Sequence, residues 1–252
     1  MARNTSPGKP TAFAWPDGRR AAVSLTFDDA RPSQIDRGME ILGSRGVRAT
    51  FYVSPAGMDQ RIDGWRAAVR TGHEIGNHTL THPCSGNFGF ARANALEDYN
   101  LDRMERELLD ASDAIKQRLG VKPVTFGYPC GQSFVGRGRE VRSYVPLVAR
   151  HFLAGRGAFS EMHNDPAFCD LAQVFGMDGD DAPLDRLTFL VDRAADAGGW
   201  LILFGHEVGD AGPQTTRASV LDRLGAYLTD AANGIWVDTV AAVARHIAAG
   251  RS

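Results

Sequence analysis

Apolar runs and stretches of helical period alternate along the chain from residue 21 to its end. Residues 21–27 read as a short, fully buried strand that stops on Asp28-Asp29. Behind Pro32, Ile35, Met39 and Leu42 recur at helical spacing over 33–45, with Ser33 as N-cap candidate and Gly46 as the stop. A second strand covers 47–53, a short helix 63–70, and a brief strand lies around Glu74 and Ile75. Leu96, Leu101, Met104, Leu108, Ala111, Ile115 and Leu119 predict the longest helix, 94–119, ended by Gly120. Then follow a strand at 121–126, a helical stretch at 142–154 despite Pro146, and a strand at 171–177. Helices at 184–197 and 216–232 flank the strong strand 200–204. The strand 235–237 leads through the cap Asp238 into a last helix ending at Ala249. Such alternation predicts a parallel sheet with helical crossovers, either an open doubly wound sheet or a closed barrel.

Residues 1–20, with Pro7, Pro10 and Pro16, read as an irregular lead-in, and 21–252 as one domain. The chain of 252 residues, 43% hydrophobic and 23% charged, has the make-up of a folded soluble domain with a large core. Its 28 basic and 30 acidic residues leave a net charge of −2, which gives no electrostatic case for nucleic acid or membrane partners. Cys84, Cys130 and Cys169 form no CxxC, do not read as a disulfide framework, and their odd number points to a reducing compartment. No signal-like apolar segment opens the chain, so it reads as cytoplasmic as written, or as secreted or periplasmic if a leader has been removed.

Four polar clusters each follow an apolar run: Asp28-Asp29, His78 with His82, Pro129-Cys130-Gly131, and Gly205-His206-Glu207. In parallel α/β folds the carboxyl ends of the strands share one face, where ligands bind. Singly, each cluster has a plain structural reading: a helix cap, a turn histidine, a small buried thiol. Asp28 and Asp29 point apart along an extended backbone, which suits one on a metal and one facing substrate. Two imidazoles need a third ligand, and the nearest upstream run of acids is this pair. His73, His151, His163 and His246 read as structural histidines.

Thr26-Phe27-Asp28-Asp29, His78-Thr79-Leu80-Thr81-His82-Pro83, Tyr128-Pro129-Cys130-Gly131 and Phe204-Gly205-His206 together resemble the successive motifs of the polysaccharide deacetylases, the NodB-homology group or carbohydrate esterase family four. The resemblance runs from residue 21 to about 245. It implies a distorted (β/α) barrel of about seven parallel strands and hydrolysis of N- or O-acetyl groups on an acetylated carbohydrate. It implies Asp29, His78 and His82 on a divalent metal (Zn²⁺, or Co²⁺ or Ni²⁺), Asp28 as general base and His206 as general acid. The Cys130 N–H would serve the oxyanion, with Tyr128, Pro129 and Phe204 lining the substrate site. Three departures stand out. Gly127 occupies the place of the arginine that pairs with the catalytic aspartate, which leaves Asp28 without its cation. Cys130 stands where a tyrosine is usual. The carboxylate that orients the acid is one of Asp165, Asp178, Asp180 and Asp181. Two other readings stay open: an amidohydrolase on a small C–N compound, for which a closed pocket would speak, and a binding relative that has lost catalysis.

Overall fold

The structure, a computed structural model, describes residues 13–251. Most of the expected lead-in, residues 1–12, lies outside the described residues. From residue 13 the chain is packed: Trp15 is buried and its Nε1–H donates to Gly198 O at 3.0 Å.

Eight parallel strands form one curled sheet: β1 (Ala21–Asp28), β2 (Thr50–Val53), β3 (Glu74–Asn77), β4 (Thr125–Gly127), β5 (Ala154–Arg156), β6 (Met177–Asp178), β7 (Trp200–Gly205) and β8 (Ile235–Val237). Seven follow the order β5-β4-β3-β2-β1-β7-β6. The eighth, β8, pairs with Ala21 to Val23 of β1, while β2 pairs with Thr26 to Asp28. Residues before β6 run beside β5: Gly157 N–H donates to Val174 O and Val174 N–H to Gly155 O, both at 2.8 Å. The two ends of the path thus meet through residue 174, as a distorted barrel requires.

Alternation along β1 divides the core. Val23, Leu25 and Phe27 point outward, into a cluster with Leu187, Val191, Leu221 and Leu224 of the covering helices. These come from α5 (Leu184–Ala197) and α6 (Ala218–Thr229); before them lie α1 (Met39–Ser44), α2 (Ile62–Arg70), α3 (Leu101–Leu119) and α4 (Val145–His151), and after them α7 (Val240–Gly250). Ser24, Thr26 and Asp28 take the opposite face. Ser24 Oγ accepts from Trp200 Nε1–H and the Thr26 hydroxyl donates to Leu203 O, each at 3.0 Å, so this polar lining is hydrogen-bonded. Tyr52 fills the interior beside it. A Cβ on Gly76 or Gly127 would meet its ring at 2.5 and 2.7 Å, which fixes both positions as glycine.

Several expected elements differ, among them the last helix, which is capped by the Thr239 side chain accepting from Ala242 N–H at 3.2 Å rather than by Asp238. The long helix begins at Leu101, not 94, because the Asn100 side chain caps it by accepting from Arg103 N–H at 2.8 Å. The 142–154 stretch is split: α4 carries Pro146 in its first turn, and a strand, β5, follows. Ala-Gly-Arg has no alternation to announce it. The strand expected over 171–177 is mostly a turn, since Asp170 caps Leu171–Gln173 through Ala172 N–H at 2.9 Å, and only Met177–Asp178 pairs as β6. Among the described residues no helix is long and apolar enough to cross a membrane.

Candidate metal and catalytic site

The carboxyl ends of β1 to β7 gather the expected residues on one rim. Asp28, the last residue of β1, faces inward by the alternation above. The chain then turns with left-handed backbone at Asp29 (φ 72°) and Ala30 (φ 54°), a conformation that side chains with a Cβ adopt at a cost. The turn places Asp29 Oδ1 3.5 Å from His78 Nε2 and 3.3 Å from His82 Nε2. Adjacent aspartates therefore serve two directions.

The histidine turn is also left-handed, at Thr79 (φ 65°) and His82 (φ 53°), and α3 holds it there. Glu107, buried on α3, accepts from the N–H groups of Leu80 (3.0 Å) and Thr81 (2.9 Å) and from the Thr81 and Tyr99 hydroxyls (2.7 and 3.0 Å). Asn77 accepts from Thr79 N–H at 2.7 Å and donates to Leu108 O and Ser112 Oγ, both at 2.8 Å. His78 Nδ1–H donates to Gly127 O at 2.8 Å, which leaves the Nε2 lone pair towards Asp29. Burial and the neighbouring His78 push the His82 imidazole down to about 4, so the ring is neutral near pH 7, the form that binds metal. Burial raises the Asp29 carboxyl, but His78, His82, His206 and Arg31 outweigh it and hold the group below its ordinary value.

This donor set fits a divalent cation. The ligand atoms of Asp29, His78 and His82 all lie within 4.8 Å of one another. The two edges at 3.3 and 3.5 Å are close to the roughly 3.0–3.4 Å between donors set about 2.1 Å from one ion. Two imidazoles and a carboxylate suit zinc, cobalt and nickel alike. His73 stays outside, its Nδ1 accepting from Ala49 N–H at 3.1 Å.

Asp28 has its cation after all. The expectation that Gly127 leaves it alone is overturned by Arg156, on the neighbouring strand: Gly127 and Arg156 are register partners across β4 and β5. Arg156 is fully buried, and its Nη2–H donates to Asp28 Oδ1. The guanidinium lies 4.9 Å from the Tyr52 ring centre and 5.2 Å from that of Phe204, within cation–π range. Asp28 Oδ2 makes no hydrogen bond among the described residues. The sequence did not connect Arg156 with Asp28, because nothing in it announces β5.

On the other side, His206 follows β7 and its Nδ1–H donates to Asp180 Oδ2 at 2.6 Å. Asp180 Oδ1 also accepts from His206 N–H (3.2 Å) and the Thr216 hydroxyl (3.1 Å), so of the four candidate aspartates Asp180 is the one on the ring. Burial lowers the His206 imidazole, but the Asp180 hydrogen bond and the charges of Asp28 and Asp29 outweigh it and raise it above its ordinary value. Buried Gln34, unmarked by any motif, donates through Nε2 to Asp28 O (2.6 Å) and His206 O (2.8 Å), tying β1 to β7.

The third motif behaves differently from expectation. Cys130 is neither a plain buried thiol nor free: it is disulfide-bonded to Cys84, so the odd count concealed a pair, and Cys169 alone is free. Cys130 has left-handed backbone (φ 53°), and its N–H makes no hydrogen bond among the described residues. Tyr128 borders the groove but is buried, with its hydroxyl donating to Ala172 O at 2.6 Å. Pro129 is buried and is not among the groove-lining residues. Phe204 lines it from below. The whole is a groove of about 620 Å³ bordered by Asp28, Asp29, Arg31, His78, His82 and His206. Phe88 (43% exposed), Phe90 (70%) and Phe159 (66%) stand around its mouth.

Known proteins bear on this arrangement. A chitooligosaccharide deacetylase of Sinorhizobium fredii is 34% identical over 96 residues, 38% of this chain and 40% of that protein. The peptidoglycan-N-acetylglucosamine deacetylase PgdA of Listeria monocytogenes is 27% identical over 110 residues, 43% of this chain and 21% of that one. The matches thus span less than half of those relatives' lengths. A Mycobacterium smegmatis protein solved as a candidate polysaccharide deacetylase superposes with a TM-score of 0.68 at 20% identity, over 96% of this chain and 95% of that one, a likeness of fold. The family model for polysaccharide deacetylase matches residues 16–144, just over half of the sequence, and the chain belongs to that family.

Proposed function

We propose that this chain is a metal-dependent hydrolase that removes acetyl groups from an acetylated carbohydrate, with residues 21–252 acting as one catalytic unit. One observation carries the reading. A cluster of Asp29, His78 and His82 lies between an Arg156-paired Asp28 and an Asp180-paired His206, on the rim of one groove. The exposed phenylalanines at its mouth favour a glycan over a small compound enclosed in a pocket.

Asp29, His78 and His82 would hold the divalent cation, which when bound supplies Lewis-acid polarisation of the acetyl carbonyl and makes water acidic enough to attack near neutral pH. Arg156 fixes one oxygen of Asp28 and leaves Oδ2 to take the proton of the attacking water. The Cys130 N–H donates to the oxygen that gains charge as the carbonyl becomes tetrahedral. With Nδ1–H held on Asp180, His206 presents Nε2 and gives a proton to the departing sugar nitrogen or oxygen. Gln34 keeps base and acid at fixed separation through their backbones.

Acetate release from chitooligosaccharides and acetylated xylan tests this, using protein stripped of metal and reloaded with Zn²⁺, Co²⁺ or Ni²⁺. Reloading restores release, and Asp28→Asn lowers it by about 10²–10⁴-fold. A protein that binds no divalent cation, together with an unchanged rate in Asp28→Asn, ends the proposal.

A further inference from the structure

The Cys84–Cys130 disulfide has no part in the mechanism above, yet it lies against it. Cys84 is two residues beyond His82 and fully buried, and Cys130 lines the groove. The Cys84 sulfur is 3.7 Å from His82 Nδ1, on the side of the ring away from Asp29. One ring nitrogen of His82 and the two sulfurs lie within 4.8 Å of one another. A second potential donor set therefore shares its histidine with the first.

We propose that reduction of this disulfide creates a second metal site, made of Cys84, Cys130 and His82 Nδ1, that takes a zinc-like ion and removes His82 from the catalytic set. The proposal rests on the reading that Asp29, His78 and His82 hold the catalytic metal. A dithiol reductant supplies two electrons and two protons. The S–S bond breaks, two thiols form, and the dithiol closes to its own disulfide. Binding of the ion then releases the two thiol protons to solvent. Bonds of about 2.3 Å to sulfur and 2.0–2.1 Å to nitrogen set a tetrahedral N···S edge of about 3.6 Å. The nitrogen and the Cys84 sulfur already stand at 3.7 Å, and the two Cα atoms at 6.2 Å, so only the sulfurs have to part.

Exclusivity follows from the ring. A neutral imidazole has one lone pair, on Nε2 or on Nδ1. The catalytic set needs it on Nε2 and the thiolate set on Nδ1, so one ring serves one site at a time. Soft thiolates hold zinc-type ions strongly, and the competition runs against the catalytic set once the thiols are free. The disulfide is then a redox selector: the catalytic arrangement belongs to oxidising compartments, where disulfides persist.

Co²⁺ at one equivalent reads both sites in the whole chain. The protein is compared oxidised and after reduction with dithiothreitol that is then removed anaerobically. Reduction is expected to bring in a thiolate-to-Co²⁺ charge-transfer band in the near ultraviolet, absent from the oxidised protein, and to lower acetate release at least about tenfold, the scale of losing a ligand's support. The double variant Cys84→Ser/Cys130→Ser shows no such band, and its rate, whatever its size, no longer responds to dithiol. A reduced protein without the band overturns the proposal, as does an equal loss of rate in Cys130→Ser with no band, since the disulfide would then be a structural tie only. If the oxidised protein takes up no Co²⁺, the catalytic reading fails, while the band in the reduced protein still decides this one.

Discussion

The two halves of the groove are built in different ways. Residues 16–144, which the family model matches, supply Asp28, Asp29, His78 and His82, and each lies at the end of its strand or a few residues beyond it. Residues 145–251 supply Arg156, Asp180 and His206, and two of these reach their partners from elsewhere. Arg156 meets Asp28 across 128 positions of chain, and Asp180 meets His206 across 26. In the first half each group sits in a short motif that marks it, although Asp29 and the two histidines are themselves brought together from distant motifs. In the second, the barrel supplies a charge at a required point from whichever strand has room. Neighbouring parallel strands lie level in register, so moving the guanidinium from position 127 to position 156 shifts it by one strand and no further along the axis. Tyr52 explains the move, since its ring occupies the space that a side chain at 127 would need.

Arg156 gives the sharpest break between the halves. Arg156→Met strands a buried carboxylate and is expected to cost on the order of 3–5 kcal/mol of stability. It also lowers kcat/KM by about 10²–10³-fold, within the range of general-base catalysis, while Co²⁺ uptake stays within severalfold. Chemical denaturation, kinetics and metal titration read the three together. Adding Gly127→Arg to this variant, which restores the family's arrangement in sequence, gives no rescue: the new Cβ meets the Tyr52 ring at 2.7 Å and His78 Nδ1 at 3.1 Å. Full rescue would mean that Tyr52 yields easily and that the two positions are interchangeable.

Asp180→Asn comes next. Asp180 raises the His206 imidazole against the opposing effect of burial, and a general acid must be protonated. Without the charge, the alkaline limb of the kcat/KM profile moves to lower pH and the plateau falls about 10²-fold. The sign for stability follows from the same shift. A histidine raised in the folded state contributes stability that is complete below its unfolded value near 6.5 and disappears as pH rises through the folded one. The variant should therefore be destabilised more at pH 5 than at pH 9. A profile that falls uniformly with an unmoved limb would assign Asp180 to packing alone.

The same contrast explains what could be read beforehand. The strands at 21–27 and 200–204 announce themselves as apolar runs, and the clusters after them carry histidine and aspartate, whose chemistry is specific enough to stand out. Arg156 sits in a three-residue strand with alanine and glycine, gives no periodic signal, and follows a helix whose apolar spacing runs into it. Asp180 is one of four candidate aspartates in a loop-rich stretch, and only the fold distinguishes them. Gln34 and Glu107 were hidden for another reason. Each sits in a helical segment whose apolar residues announce the element, and such a pattern is silent about which polar residue turns inward. The Cys84–Cys130 pair is 46 residues apart in sequence, and no spacing rule joins those positions.

Glu107 permits a milder break, within the first half. Glu107→Gln keeps the shape but loses the charge that receives two N–H groups and two hydroxyls from the histidine turn and Tyr99. Metal affinity is expected to fall about 10–100-fold, with kcat at saturating metal little altered. Equilibrium dialysis against Zn²⁺, with rates at high metal, separates these. A fall in kcat that excess metal does not repair would place Glu107 in the geometry of catalysis itself.

The smallest expected effect lies at the mouth, where the halves face each other through Phe88 and Phe90 on one side and Phe159 on the other. Phe88 and Phe90 keep their rings 5.5 Å apart at an interplanar angle of 30°, and Phe90 stands 6.3 Å from the His82 ring. Phe159 meets Phe204 edge-on at 5.1 Å. Large apolar rings left exposed this way contribute little to folding and gain only when something covers them. A chain of sugars reaching past the acetylated unit would do so. Phe88→Ala/Phe90→Ala should then raise KM for a chitooligosaccharide about fivefold, equivalent to roughly 1 kcal/mol of lost burial, and leave kcat unchanged. KM for N-acetylglucosamine alone should move less, because a single sugar beside Asp29, His78 and His82 covers less of the two rings. If both values of KM rise equally, the two rings shape the pocket around His82 instead, and the mouth belongs to the metal side of the groove.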